Sequence, residues 1–152
     1  MDYQDRPGTG QELPIESIIS VLSAVPDIRF AVLFGSQARG DSHPLSDLDI
    51  GIYFDNLPKL LELGGIISQL EAASGMKTDV VELQGLAAND PLLSYNIMSD
   101  AVPLLENRAN ALSDYKALVW SCYFDAADFL ARGRAAMAER VEHNQFGRMQ
   151  HA

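Results

Sequence analysis

A single cysteine, Cys122, stands among the 152 residues, so no internal disulfide can form and a reducing compartment is expected. It lies in an apolar helical stretch, where a small buried hydrophobe is expected rather than a nucleophile. No apolar run reaches the length of a membrane span, because charges or glycines interrupt every candidate. The opening residues, Met1-Asp2-Tyr3-Gln4-Asp5-Arg6, are acidic and polar where a secretory signal would be basic and then apolar, so a cytoplasmic location is expected. Basic residues are scarce in the first hundred positions, which hold five Lys/Arg against fifteen Asp/Glu, whereas residues 101–152 hold six of each. An acidic half of that strength repels a polynucleotide backbone and argues against a DNA or RNA substrate.

At 47% hydrophobic, the chain can bury a core of its own but is too short for two full domains. Residues 1–13 carry Gly and Pro and are expected to be a flexible N-terminus. From Pro14 to about Val25, apolar Ile15, Ile18, Ile19 and Leu22 recur at helical spacing, and Pro26 stops the pattern. Apolar strands are predicted over Ile28–Phe34, Leu48–Phe54 and Thr78–Leu83, with a short fourth over Ala101–Leu105. Pro58 is placed in the first turn of a helix reaching about Ser74, with Gly64-Gly65 a weak spot and Gly75 its C-terminal cap. Asp90-Pro91 caps a further helix to about Ser99. Helices alternating with strands give an α/β or α+β fold with a mixed sheet of about four strands.

A long helix is predicted from Asn110 to about Asn144, with a possible break at Gly133. Leu112, Tyr115, Leu118, Val119, Cys122, Tyr123, Ala126 and Phe129 follow a three-four rhythm along it. Part of that stripe is expected to cover the sheet. The remainder is a candidate partner surface, because a helix this long outreaches a domain of this size. The domain organisation is thus an N-terminus over 1–13, a core over 14–106, a C-terminal helix over 107–144 and a tail over 145–152.

The chemistry concentrates where the first two strands meet. Phe34-Gly35-Ser36-Gln37-Ala38-Arg39-Gly40-Asp41 follows the first strand, and Ser46-Asp47-Leu48-Asp49-Ile50 opens the second. Alternate strand residues share a face, so Asp47 and Asp49 point the same way. Paired carboxylates repel unless a cation lies between them, and hard divalent ions favour oxygen ligands. Gly35 allows close backbone approach to a ligand, and Ser36 offers a hydroxyl and an N–H suited to phosphate. A phosphate cradle beside a carboxylate pair implies chemistry on a nucleotide. His43, beside Pro44 in the loop between the strands, is read as placed there by chance, and His143 and His151 have no ligand spacing.

Gly35-Ser36, ten intervening residues and Asp47-x-Asp49 resemble the signature of the polymerase-β-like nucleotidyltransferases. The flanking Phe-Gly-Ser-x-Ala-Arg-Gly-Asp and Ser-Asp-x-Asp-Ile are similar to the minimal nucleotidyltransferases of the MntA antitoxin class, over roughly residues 14–106. The resemblance implies a third carboxylate on a neighbouring strand. Asp79 in Lys77-Thr78-Asp79-Val80-Val81-Glu82-Leu83 is the candidate, with Glu82 the runner-up. Alternation puts Asp79 on the face of Val81 and Leu83, a costly place for an unpaired anion. By resemblance, Asp47, Asp49 and Asp79 hold magnesium, two ions in all, and act in catalysis on ATP. Gly35 and Ser36 hold the outgoing phosphates. Arg39 either contacts phosphate or pairs with Asp41.

The resemblance also implies a partner. Larger members of the superfamily add a helical domain that grips the acceptor, and only one long helix follows the core here. In the antitoxin class the partner is a HEPN-domain ribonuclease toxin, and AMP passes from ATP to one of its tyrosines. HEPN toxins carry Arg-x4-His, a spacing absent from this chain, so the chain corresponds to the transferase half. The alternatives are a non-catalytic antitoxin that acts by binding, and an aminoglycoside-type transferase acting on a small molecule.

Overall fold

Strand β1 (Ile28–Phe34) lies inside a four-stranded sheet of order β3-β2-β1-β4, formed with β2 (Leu48–Phe54), β3 (Thr78–Glu82) and β4 (Val102–Glu106). The computed structural model describes residues 12–41 and 45–142. Most of the N-terminal stretch, the tail over 145–152, and His43, His143 and His151 therefore lie outside the described residues. β1 pairs antiparallel with both β2 and β4, while β2 and β3 run parallel, joined by a helical crossover. The sheet is mixed, as helix–strand alternation implied.

Each face of the sheet carries its own apolar cluster because side chains alternate along the strands. One face sets Leu33, Ile50 and Ile52 against α1 (Ile15–Ala24) and α3 (Leu60–Ser74). The other sets Phe30, Val32 and Leu83 against α4 (Leu86–Asn89), α5 (Pro91–Asp100) and α6 (Ala111–Glu142), after the short α2 (Gly35–Arg39). A bulge tunes this phase. Ile28 pairs with Phe54 and Phe30 with Tyr53, so β1 holds one residue more than β2 over that interval. The extra residue lets Ile28 join Ala31 and Leu33 in the first cluster.

Local chemistry sets the helix ends. The side chain of Asp90 accepts a hydrogen bond from the Leu93 N–H at 3.1 Å, with Pro91 in the first turn, as the sequence predicted. α3 ends on Gly75 at φ +70°, the expected left-handed cap. It begins at Leu60 rather than Pro58, because the Lys59 backbone is extended and its N–H donates to Glu62 Oε2 at 3.0 Å. α4 went unpredicted, since four residues are too few to show a period.

α6 runs unbroken past Gly133, where a Cβ would meet nothing within 4 Å. One exposed glycine costs a helix only about 1 kcal/mol, and the alanine and arginine around it favour the helix. The first third of α6 is anchored. Leu112, Tyr115 and Val119 are buried, and the Tyr115 hydroxyl donates to the Leu83 carbonyl at 2.7 Å. Burial pushes the ionisation of that phenol well above its usual range. The rest of the predicted apolar stripe is not core: Cys122 is half-buried, and Leu118 and Phe129 are exposed. The sheet ends before the helix does.

Candidate active site

The C-terminal end of β1 and the N-terminal ends of β2 and β3 meet at one edge of the sheet, because β1 is antiparallel to β2 and β2 is parallel to β3. Phe34 is paired with Asp49, and Asp49 with Asp79. Three segments far apart in sequence thus deliver Gly35, Asp49 and Asp79 to one place, with Asp47 just before β2. Gly35 turns the chain at φ +74° out of β1 into α2, and a Cβ there would collide with Asp49 Oδ2. The glycine is therefore required twice, by its backbone angle and by the carboxylate packed over it. Ser36 follows at once, half-buried, and its carbonyl closes α2 by accepting the N–H groups of Gly40 at 3.0 Å and Asp41 at 3.2 Å.

Charge accumulates at this edge. The Asp49 carboxyl is held above the usual aspartate range, first by burial and then by the negative charges of Asp79 and Asp47, with Arg39 acting in the opposite sense. Asp47 and Asp79 therefore lie within electrostatic reach of Asp49. Lys77 partly compensates, its ammonium 4.0 Å from Asp47 Oδ2. Arg39 pairs twice, donating from Nε to Asp41 Oδ2 at 3.2 Å and from Nη1 to Asp100 Oδ2 at 2.9 Å. The first contact is the Asp41 pairing weighed in the sequence. The second ties α2 to the end of α5.

Asp79 corrects one expectation. It shares the face of Val81 and Leu83 but is exposed, because it is the second residue of β3, an outer strand, at the end where the sheet opens to solvent. It bears no penalty of core burial. Glu82, the runner-up, lies opposite Ile52, away from the acidic edge, and accepts a hydrogen bond from Gln84 Nε2 at 3.3 Å. Among the described residues, no group of three or more Asp, Glu, His or Cys side chains is gathered closely enough to hold a metal ion. The donor set nonetheless suits a hard divalent cation. It consists of carboxylate oxygens, and the charged form of Asp49 is destabilised by burial and by its like-charged neighbours, a cost that a cation would relieve.

Two residues at the edge went unmarked in the sequence. Lys77 directly precedes the Thr78-Asp79 strand start, and that adjacency was a readable signal. Asp100 lies 61 residues from Arg39, and nothing local announces the pair.

A glycine turn packed against clustered carboxylates on a mixed sheet suits phosphoryl- and nucleotidyl-transfer chemistry, and the comparisons with known proteins narrow the class. The family model described as "Polymerase beta, Nucleotidyltransferase" matches residues 16–110. Protein adenylyltransferase MntA of Thermococcus cleftensis is 37% identical over 71 residues, covering 44% of this chain and 72% of that protein. A solved toxin–antitoxin with AMP-PNP shares the fold at a TM-score of 0.61 and 20% identity, covering 84% of this chain and 98% of that one. A Shewanella oneidensis complex of tri-AMPylated HEPN toxin with MNT antitoxin shares it at 0.57 and 17%, covering 85% and 96%. This chain belongs to the polymerase-β nucleotidyltransferase family, in its MntA-like minimal branch. It is a nucleotidyltransferase.

Proposed function

We propose that the chain is the antitoxin of a toxin–antitoxin pair, transferring AMP from ATP to a tyrosine of a HEPN ribonuclease and so neutralising it. The observation that carries this reading is the Gly35 turn packed against Asp49 where Asp47 and Asp79 add their charge. The relatives named above, one an adenylyltransferase of proteins and one crystallised with an AMPylated toxin, support the acceptor class.

The Gly35 and Ser36 backbone N–H groups and the Ser36 hydroxyl bind the β- and γ-phosphates. Asp47, Asp49 and Asp79 would hold magnesium, which would supply neutralisation of the phosphate charge. The acceptor oxygen attacks the α-phosphorus, the bond from that phosphorus to the bridging oxygen breaks, and pyrophosphate leaves. Asp79, exposed at the sheet edge, receives the hydroxyl proton. A phenol suits this step, because its pKa of about 10 makes it far easier to deprotonate than an aliphatic hydroxyl. Arg39, held by Asp41 and Asp100, keeps α2 and hence the Ser36 turn in register.

The test is intact-mass spectrometry of the HEPN partner after incubation with ATP and magnesium, followed by peptide mapping. Added AMP on tyrosine is the expected result. An unmodified partner, together with full protection of cells by the Asp47→Asn/Asp49→Asn double variant at equal expression, would establish neutralisation by binding instead. Modification of a small molecule alone would move the activity to the aminoglycoside-type class.

A further inference from the structure

We infer that Lys77 binds the transferred phosphate: its ammonium holds Asp47 in the free protein and turns to the α-phosphate when a divalent cation takes that carboxylate. The inference rests on the nucleotide reading of the acidic edge and not on the identity of the acceptor. The β2–β3 register sets Leu48 opposite Thr78 and Asp49 opposite Asp79. The ladder extends one step earlier, since the Leu48 N–H donates to the Lys77 carbonyl at 2.8 Å, and that step brings Lys77 opposite Asp47. Side chains two apart on a strand share a face, so Lys77 stands on the face of Asp47, Asp49 and Asp79. Across the sheet, the Gly35 turn at the end of β1 and Lys77 at the start of β3 flank β2 and its two aspartates.

Charge and tether decide what the ammonium can do. Among the described residues, two basic side chains pair with the carboxylates of this edge. Arg39 is committed, to Asp41 at 3.2 Å and to Asp100 at 2.9 Å. Lys77 has a single contact, 4.0 Å to Asp47 Oδ2, and its side chain is 73% exposed. An exposed pair of that length is weak, and a divalent ion outcompetes it for the carboxylate. The Lys77 backbone cannot follow, because Leu48 holds it in the ladder. The freed ammonium therefore stays at the edge, on a flexible stem with three rotatable donors. A cation at Asp47 repels it, and the anion that arrives with the cation attracts it. Gly35 and Ser36 take the β- and γ-phosphates in the proposed reaction, which leaves the α-phosphate to the carboxylate side and to Lys77.

Calorimetry of the whole chain with two titrants tests the exchange. Lys77→Met keeps the stem and the Leu48 hydrogen bond and removes only the charge. It should bind manganese alone about two- to fivefold more tightly than the parent, because a competing cation is gone. It should bind a nonhydrolysable ATP analogue with magnesium roughly tenfold more weakly, because a charged donor to phosphate is gone. Lys77→Arg should restore most of the nucleotide affinity. Opposite signs for metal and nucleotide are the signature, since a merely structural role would weaken both. Weakening of both, or nucleotide affinity unchanged in Lys77→Met, would each overturn the inference, the second by reducing Lys77 to a surface ion pair. A parent that holds the analogue but modifies no toxin would defeat the proposed acceptor alone, because the two titrations read binding and not transfer.

Discussion

Asp49 is the most constrained side chain of the acidic edge. It faces Asp79 across the β2–β3 ladder, covers Gly35 and carries a carboxyl whose pKa is raised by burial and by its neighbours. A raised carboxyl pKa means the folded state binds its proton more tightly than the unfolded state does. Stability is therefore lost as pH rises from about 4, the unfolded value, through the folded one. Asp49→Asn should accordingly raise the melting temperature of the metal-free protein at pH 7, and the gain should shrink toward pH 3.5. The same variant should transfer no AMP. Thermal scans at both pH values with chelator present check the sign, and a loss of stability at pH 7 would contradict it. Gly35→Ala should act in the opposite direction. A Cβ there meets both the strained φ of +74° and Asp49 Oδ2, so unfolding by urea should show a loss of about 1–3 kcal/mol. Displacing the phosphate turn should lower kcat/KM by roughly a hundredfold or more.

The elements differ in how firmly they are held. α6 is fastened at its first third by Leu112, Tyr115 and Val119, with Tyr115 set among Phe30 at 5.4 Å and Tyr53 at 5.7 Å. Tyr115→Phe keeps this packing and removes only the hydrogen bond to the Leu83 carbonyl. That carbonyl still accepts from the Leu86 N–H at 3.1 Å, so the expected loss is about 1 kcal/mol with transfer activity unchanged. Chemical denaturation alongside a transfer assay checks both parts. α2 is a different case, five residues that cannot stand as a helix alone. Its place depends on Gly35, on the buried Ala38 and Gln37, and on the Arg39–Asp100 bridge. Asp100→Asn should raise KM for ATP more than it lowers kcat, because it loosens the phosphate turn without touching the reacting atoms.

At the scale of the molecule, charge decides what can approach. The net charge of −10 is carried by the first hundred residues, which include the acidic edge. ATP without magnesium would meet the carboxylates of Asp47, Asp49 and Asp79 with its own negative charge. Calorimetric titration should show ATP affinity falling at least tenfold when magnesium is replaced by chelator, while the far-ultraviolet spectrum stays the same, since neither apolar cluster includes Asp47, Asp49 or Asp79. Equal affinity with and without magnesium would remove the carboxylates from the nucleotide site. The same field favours a basic protein acceptor, so association with the toxin should slow as salt rises.

Much of this protein was legible in the chain order itself. β1 and β2 fall at the predicted residues because each is a run of apolar side chains bounded by turn formers, and the spacing of Gly35-Ser36 and Asp47-x-Asp49 marked the family before any geometry was known. Local chemistry, an aspartate before a proline or a glycine after a helix, determined where α5 begins and α3 ends. Tertiary structure alone decided which strand ends coincide. Asp79 joins Asp49 because β3 lies parallel to β2, and Arg39 finds Asp100 because α2 packs beside α5. It also decided how much of α6 is core. A periodic apolar stripe says that a face is to be covered, but its length exceeds the sheet beneath it, and only the three-dimensional extent of that sheet tells where burial stops.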